Sequence, residues 1–233
     1  MNEQARCACL LVEDMDMSDL DTHQARHGRV ISPATRGSQL MDLGLLDEWQ
    51  DNELEGGKNF PQTAGGQFPD YPTDTVSNVP PADGVILSGG KVDDARKYVN
   101  YTDDELSAEL KILKPKAGVT GWSRHSVAAG ADFEVEWKYA APHVTRGYLW
   151  FITKDRWDEN TRITRAHLES EPFYTDLYTE VPFDQHKEEL KAKTALTAKL
   201  PSGKQGHHVV VLLWIIADTG AAFYQTFDLD FVA

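Results

Sequence analysis

The chain has 233 residues and a mass of 26.1 kDa, of which 41% of residues are hydrophobic and 26% charged; a chain of that size and content folds as one domain with room for a long insertion and is not disordered throughout. Lys and Arg number 23 against 37 Asp and Glu, a net charge of -14 that repels nucleic acids and acidic membrane surfaces. The most apolar stretch, Val209 to Ala217, is long enough for a buried strand and too short to span a bilayer, which needs about 18 apolar residues or more.

Residues 1–26 read as an acidic tail or propeptide, with six acids (Glu3, Glu13, Asp14, Asp16, Asp19, Asp21) against two Arg (Arg6, Arg26). The apolar patch Cys9 to Val12 is too short for a signal-peptide core and lacks a basic start. Both cysteines of the chain, Cys7 and Cys9, lie here, so no disulfide is expected in the body, and the fold is compatible with a reducing compartment. As half of a zinc site the Cys-Ala-Cys pair lacks a second Cys or His pair at the right distance, which leaves two tail cysteines as the plain reading.

From His27 to about Gly90 the chain is rich in Gly, Pro, Asp and Asn, with one short apolar strand at Val30 and Ile31 and little periodicity. It reads as a long loop region, and long irregular insertions in compact domains usually carry a binding surface. A short helix is expected over Asp103 to Leu110, opened by a Thr102 cap and an acidic first turn. After Gly118 the pattern becomes β. Phe133, Val135, Trp137 and Tyr139 alternate with Asp132, Glu134, Glu136 and Lys138, the signature of a strand with one wet face. Gly147 to Lys154, His207 to Ala217 and Phe223 to Val232 are three further strands; in the last, Phe227, Leu229 and Phe231 alternate with Thr226, Asp228 and Asp230. Between them Asp184 to Lys199 reads as loop with a helical turn in His186 to Lys193. The expected fold is all-β, an immunoglobulin- or fibronectin-III-like antiparallel sandwich with a long loop insertion after its first strand, over residues 27–233.

Eight histidines are present and two stand out by context. His27 opens His27-Gly28-Arg29-Val30-Ile31-Ser32-Pro33-Ala34-Thr35-Arg36, and His143 ends Ala141-Pro142-His143 just after the alternating strand. By residue type alone, a loop His after a strand is usually solvated. The opening block, however, resembles the mature amino terminus of the bacterial-type lytic polysaccharide monooxygenases, the chitin-binding-protein family, auxiliary activity family ten. The similarity continues in order through Glu55-Gly56-Gly57-Lys58-Asn59-Phe60-Pro61, Pro81-Ala82-Asp83-Gly84, Ala141-Pro142-His143, Tyr148 to Lys154, His208 to Thr219 and Ala222-Phe223-Tyr224-Gln225. It covers the chain from His27 to its end.

What the resemblance implies is a copper enzyme acting on crystalline polysaccharide, chitin ahead of cellulose, with electrons from an external donor. In the family the terminal His binds copper through its α-amino nitrogen and its ring, and a second His completes three nitrogens; by match these are His27 and His143. Three neutral nitrogen donors suit copper and leave positions open for oxygen species. Phe223 matches the axial aromatic, Ala141 the small residue that shapes access to the metal, and Glu55 a carboxylate that positions the oxygen co-substrate or relays a proton. Trp214 matches a Trp packed near the copper. Read without the resemblance, Phe223 and Trp214 are core aromatics and Glu55 is one acid among many in a loop. For substrate, Trp49 matches an exposed aromatic that stacks on sugar, and Asp218 a polar surface residue. Gln50 and Asp51 fall on the same surface but depart from the usual acidic residue and Pro, and Ala221 stands where an Asn is common.

Members of that family are exported behind a cleaved signal peptide, which bares the amine of the terminal His. With the acidic tail in its place, the expectation is a chain folded in the cytosol, released by a non-standard route, and cut after Arg26 to act outside the cell. Two readings of other classes stand beside this one: a non-catalytic carbohydrate-binding module that keeps Trp49 and never assembles the metal site, and a structural or delivered component of a virion or injection system whose tail docks it.

Overall fold

The computed structural model describes residues 27–68, 74–180, 182–186 and 188–232. The expectations for the acidic tail, for Cys7 and Cys9 and for folding in the cytosol rest on residues 1–26 and lie outside the described residues. Among the described residues, no helix is long and apolar enough to cross a membrane.

The expected sandwich is present: among the described residues nine strands, numbered in chain order, form two facing sheets. In the first, β1 (Gly28–Ser32), β4 (Asp132–Tyr139) and β7 (Ala195–Lys199) follow the order β1-β4-β7. The second has the order β2-β9-β8-β5-β6, from β2 (Glu55–Gly57), β5 (Thr145–Ile152), β6 (Tyr174–Leu177), β8 (Gly206–Ile216) and β9 (Ala221–Val232). These pairs are antiparallel. One pairing departs from the expectation: β3 (His125–Ala128) runs parallel to β9 along Leu229 to Val232, on the edge whose other end carries β2.

Two cores explain the strand patterns. Between the sheets Val30, Phe133, Val135 and Trp137 meet Trp150, Leu212, Trp214 and Phe227, while Glu134, Glu136 and Lys138 of β4 stay exposed, as its alternation required. On the other side of the second sheet Phe151, Val211, Leu213 and Tyr224 pack against Leu40 and Ile86 from the insertion and Val99 and Leu106 from the segment after it. A strand covered on both faces reads as a continuous apolar run, which is why β8 does. The alternation in β9 does not mark a wet face: Thr226 and Asp228 are buried under the insertion.

The insertion itself is not the structureless loop that its composition suggested. It holds two short helices, α1 (Arg36–Asp42) and α2 (Glu48–Asn52), then β2; α3 (Asp103–Leu113) follows it and starts at the expected place. Seven and five residues are too few to show a 3.6-residue repeat, so caps set α1 and α2 rather than periodicity. Thr35 Oγ1 accepts from Ser38 N at 3.0 Å, and Gln50 Oε1 accepts from Asp47 N at 2.9 Å. Thr102 and Glu105 bond each other reciprocally at the head of α3. The stretch expected as loop after Asp184 ends instead in β7, whose only buried side chains are Leu196 and Ala198, too sparse a pattern to read. Its expected helical turn is a single one, closed by Glu189 N and Leu190 N on His186 O, and a 3-10 turn (Phe183–Gln185) precedes it.

Candidate active site

The site lies where the ends of both sheets converge. β1 enters beside the end of β4: Gly28 pairs with Tyr139, and Ala140 N donates to His27 O at 2.8 Å, which fixes His27 against the loop that carries Ala141 and His143. A Cβ at Gly28 would lie 2.7 Å from Tyr139 Cδ1, so this entry needs glycine. Ala217 N donates to Val144 O at 2.8 Å and binds the same loop to the end of β8. On β9 Phe223 stands in register with Trp214 of β8 on one side and with Glu55 of β2 on the other. Gly89, at φ +65, lies directly on this edge, where a Cβ would come within 2.6 Å of the Glu55 backbone.

Two imidazoles from segments more than a hundred residues apart thus meet over one ring. The centroids of His27 and His143 lie 5.6 and 5.8 Å from that of Phe223. Trp214 stacks under Phe223 at 4.8 Å, faces His143 edge-on at 5.8 Å, and donates from Nε1 to Thr145 Oγ1 at 2.8 Å. Burial pushes the His27 imidazole below its ordinary value; Glu53 and Glu55 pull it up, and the nearby charges of His143 and Lys91 add to the downward shift. His27 is therefore held toward the neutral, metal-ligating form. His143 Nδ1 is buried and has no hydrogen-bond partner among the described residues, although Asp218 Oδ1 stands 3.3 Å away.

Whether these residues fit copper is answered by the donor set. A buried ring nitrogen without a hydrogen bond is costly unless a ligand satisfies it, and neutral imidazoles are donors that copper favours. Among the described residues no group of three or more His, Cys, Asp or Glu has metal-site spacing. A brace of two imidazoles and a chain-end amine needs only two such side chains, so the arrangement fits. Its third nitrogen would be that of His27, which in this sequence follows Arg26 and is an amide.

Around this pair, Glu55 is half-buried beside Phe223, Ala141 is half-buried in the loop before His143, and Asp218 is exposed next to His143. Trp49 is 51% exposed on α2, and with Glu48, Asn52, Lys138 and Ala140 it lines a shallow depression. Two expectations for substrate contact are corrected. Gln50 is buried and spends its side chain closing the first turn of α2. Asp51 is 0% exposed, packed against Gly37, where a Cβ would lie 1.8 Å from Asp51 Oδ1. Burial pushes the Asp51 carboxyl up to about 7, against the opposing pull of Arg29 and Gln225. Helix α2 turns only one side of its surface outward, and Trp49 holds it. Ala221 is likewise buried.

Sequence reasoning missed Glu53 and Arg96. Glu53 Oε1 lies 3.6 Å from His27 Nδ1, and Arg96 Nη1 lies 3.5 Å from Glu53 Oε2. Glu53 could have been suspected from its place two residues before Glu55; nothing local marked Arg96, which reaches the site from a 3-10 turn (Ala95–Asn100).

A family profile described as "Lytic polysaccharide mono-oxygenase, cellulose-degrading" matches residues 27–229. The GlcNAc-binding protein A of Aliivibrio fischeri is 26% identical over 191 residues, 82% of this chain and 30% of that protein. The lytic chitin monooxygenase of Enterococcus faecalis is 27% identical over 140 residues, 59% of this chain and 66% of that one. This chain spans about a third of the length of the GlcNAc-binding proteins A that it matches. Among solved structures, a chitin binding domain from Burkholderia pseudomallei is 40% identical with a TM-score of 0.77, covering 89% of this chain and 100% of that one. An AA10 lytic polysaccharide monooxygenase from Streptomyces lividans is 26% identical with a TM-score of 0.62, covering 88% and 100%. With sandwich, paired imidazoles and a profile that begins at His27 all in agreement, the chain belongs to the lytic polysaccharide mono-oxygenase family.

Proposed function

We propose that the chain is a copper-dependent monooxygenase that oxidatively breaks glycosidic bonds in crystalline polysaccharide, chitin ahead of cellulose. The observation that carries this reading is the convergence of His27 and His143 on Phe223, with Glu55 in register beside it. His27, by its ring and a freed amine, and His143, by its ring, would hold the copper. When bound, copper supplies the one-electron chemistry that activates an oxygen co-substrate toward a C–H bond beside the glycosidic oxygen.

The chain's own residues do the rest. Phe223 packs against both imidazoles, and by the resemblance the small side chain of Ala141 would leave access to the metal. Glu55, held on β2, offers a carboxylate that takes or returns a proton at the reacting oxygen. Trp214 backs Phe223 and holds it flat. Trp49 presents its indole to the apolar face of a sugar ring, and Asp218 offers a hydrogen-bond acceptor beside His143. Chitin is favoured by the names of the similar proteins, which bind GlcNAc or chitin. The substrate lies outside the cell, so the reading puts the mature chain, residues 27–233, there with an external reductant.

A second reading, a chitin-binding module without catalysis, is favoured by the similar solved structure from Burkholderia pseudomallei, which is described as a chitin binding domain. One experiment separates the two. Copper is titrated into a chain that begins at His27 and into the full chain, and each is then given chitin with and without reductant. Tighter copper binding by the shorter chain, with reductant-dependent oxidised chitooligosaccharides, supports the monooxygenase; adsorption to chitin with no such products selects the binding module.

A further inference from the structure

Trp49 is exposed, yet one face of its ring is covered. The Arg96 guanidinium lies over its ring, 5.4 Å from Cζ to the centroid. Arg96 is in turn fixed at both ends. Its Nε donates to both Asp94 oxygens, at 3.0 and 3.1 Å, with Nη2 2.9 Å from Asp94 Oδ2. Its Nη1 donates to Glu53 O at 3.2 Å and reaches Glu53 Oε2 at 3.5 Å. Gln50, the residue after Trp49, caps α2 through Asp47 N, so the helix that carries Trp49 is itself fixed at its head. Beyond Arg96, Glu53 extends its other carboxylate oxygen to within 3.6 Å of His27 Nδ1.

We propose that Arg96, held by Asp94 and Glu53, is a positioning residue that fixes the Trp49 indole for carbohydrate and ties it to the His27 side of the metal site. The inference rests on the polysaccharide reading above and deepens it by naming what orients the sugar-stacking surface. A guanidinium over one face of an indole leaves the other face and the edge for the ligand, so a sugar ring has one side on which to stack. The planar fork is what Asp94 grips, and Lys in its place would keep the charge but neither the fork nor the flat contact. A cation over an indole at an exposed site contributes modestly, so Arg96 acts by restricting Trp49 rather than by meeting the sugar itself. Of the other charged groups nearby, Glu48 and Lys138 pair with each other at 2.7 Å.

The test is a cycle on the full chain, metal-free in chelator, measured as adsorption isotherms on chitin particles for wild type, Arg96→Ala, Arg96→Lys, Trp49→Ala and Arg96→Ala with Trp49→Ala. Arg96→Ala is expected to weaken adsorption about fivefold, Arg96→Lys to recover only part of it, and Arg96→Ala to add less than about twofold once Trp49 is gone. The emission of Trp49, taken as the difference between wild type and Trp49→Phe, shifts in Arg96→Ala. Glu53→Gln, which leaves the Asp94 fork intact, serves as a second and milder variant and weakens adsorption in the same direction. Wild-type adsorption by Arg96→Ala, or effects of Arg96 and Trp49 that multiply, overturns the proposal while leaving the polysaccharide reading in place. Failure of the wild-type chain to adsorb overturns both.

Discussion

Asp228 accepts both arms of the Arg36 guanidinium, at 2.7 Å from Nε and 2.9 Å from Nη2, where neither side chain is open to water. The third arm of Arg36 donates to Val99 O and Tyr101 O at 3.1 and 3.0 Å, and its plane lies 4.6 Å over Trp122. The pair clamps α1 onto β9, which is how the insertion covers the second sheet. Replacing Asp228 by Asn leaves a buried cation half-answered, and chemical denaturation is expected to register a loss of about 3 to 5 kcal/mol. Burial pushes the Asp228 carboxyl up, and Arg36 with His207 outweighs it, holding it well below the usual range. Its contribution is therefore full above about pH 4 and lost as pH falls further.

Asp51 has the opposite sign. Its folded value, pushed up to about 7, lies above that of an unfolded carboxyl, so the unfolded chain gives up the proton first. Stability then falls as pH rises from about 4 to 7 and levels off beyond. Asp51→Asn removes this slope: unfolding free energies of the variant and wild type are expected to be similar near pH 4, with the variant ahead at pH 8 by a margin on the order of a few kcal/mol and its thermal midpoint correspondingly higher. A wild-type midpoint that climbs over that interval, with no gain in the variant, contradicts the assignment.

His143→Ala removes one imidazole of the pair from the rim of the inter-sheet core and leaves the core side chains themselves in place. The fold should persist by circular dichroism, and copper affinity of the chain beginning at His27 should drop together with copper-dependent oxidation. Copper binding unchanged by this substitution takes His143 out of the metal site.

Trp49→Ala should weaken adsorption to chitin by about 1 to 3 kcal/mol, as loss of an aromatic interface anchor does, with copper affinity little altered. An isotherm identical to wild type would remove α2 from the substrate surface.

The long strands β4, β5, β8 and β9 were legible because each carries its own record, whereas β2, β3, β6 and β7, of three to five residues, were too short to show one. Phe133 to Tyr139 alternates since one face is wet, and Val209 to Ile216 does not since both faces are covered. The helices α1 and α2 were not legible, because caps and distant contacts hold them, and the partner of Arg36 is 192 residues away. The same distinction runs through the site. His27, His143, Phe223 and Glu55 stood out through resemblance and come together in space. Gln50 and Asp51 could not be told from surface residues, since which side of a five-residue helix faces inward depends on Gly37 and Arg29, not on α2.

The strand that starts at Gly28 bears on how the amine of His27 would be released. An endoprotease grips its substrate as an extended strand through backbone hydrogen bonds on both sides of the bond it cuts. Downstream of Arg26 those bonds are already taken: His27 O is held by Ala140 N, and Gly28 to Val30 are zipped to Tyr139, Lys138 and Trp137. On the proposed reading, cleavage by such an enzyme would meet least resistance before β1 docks on β4, rather than on a finished sandwich waiting to be trimmed.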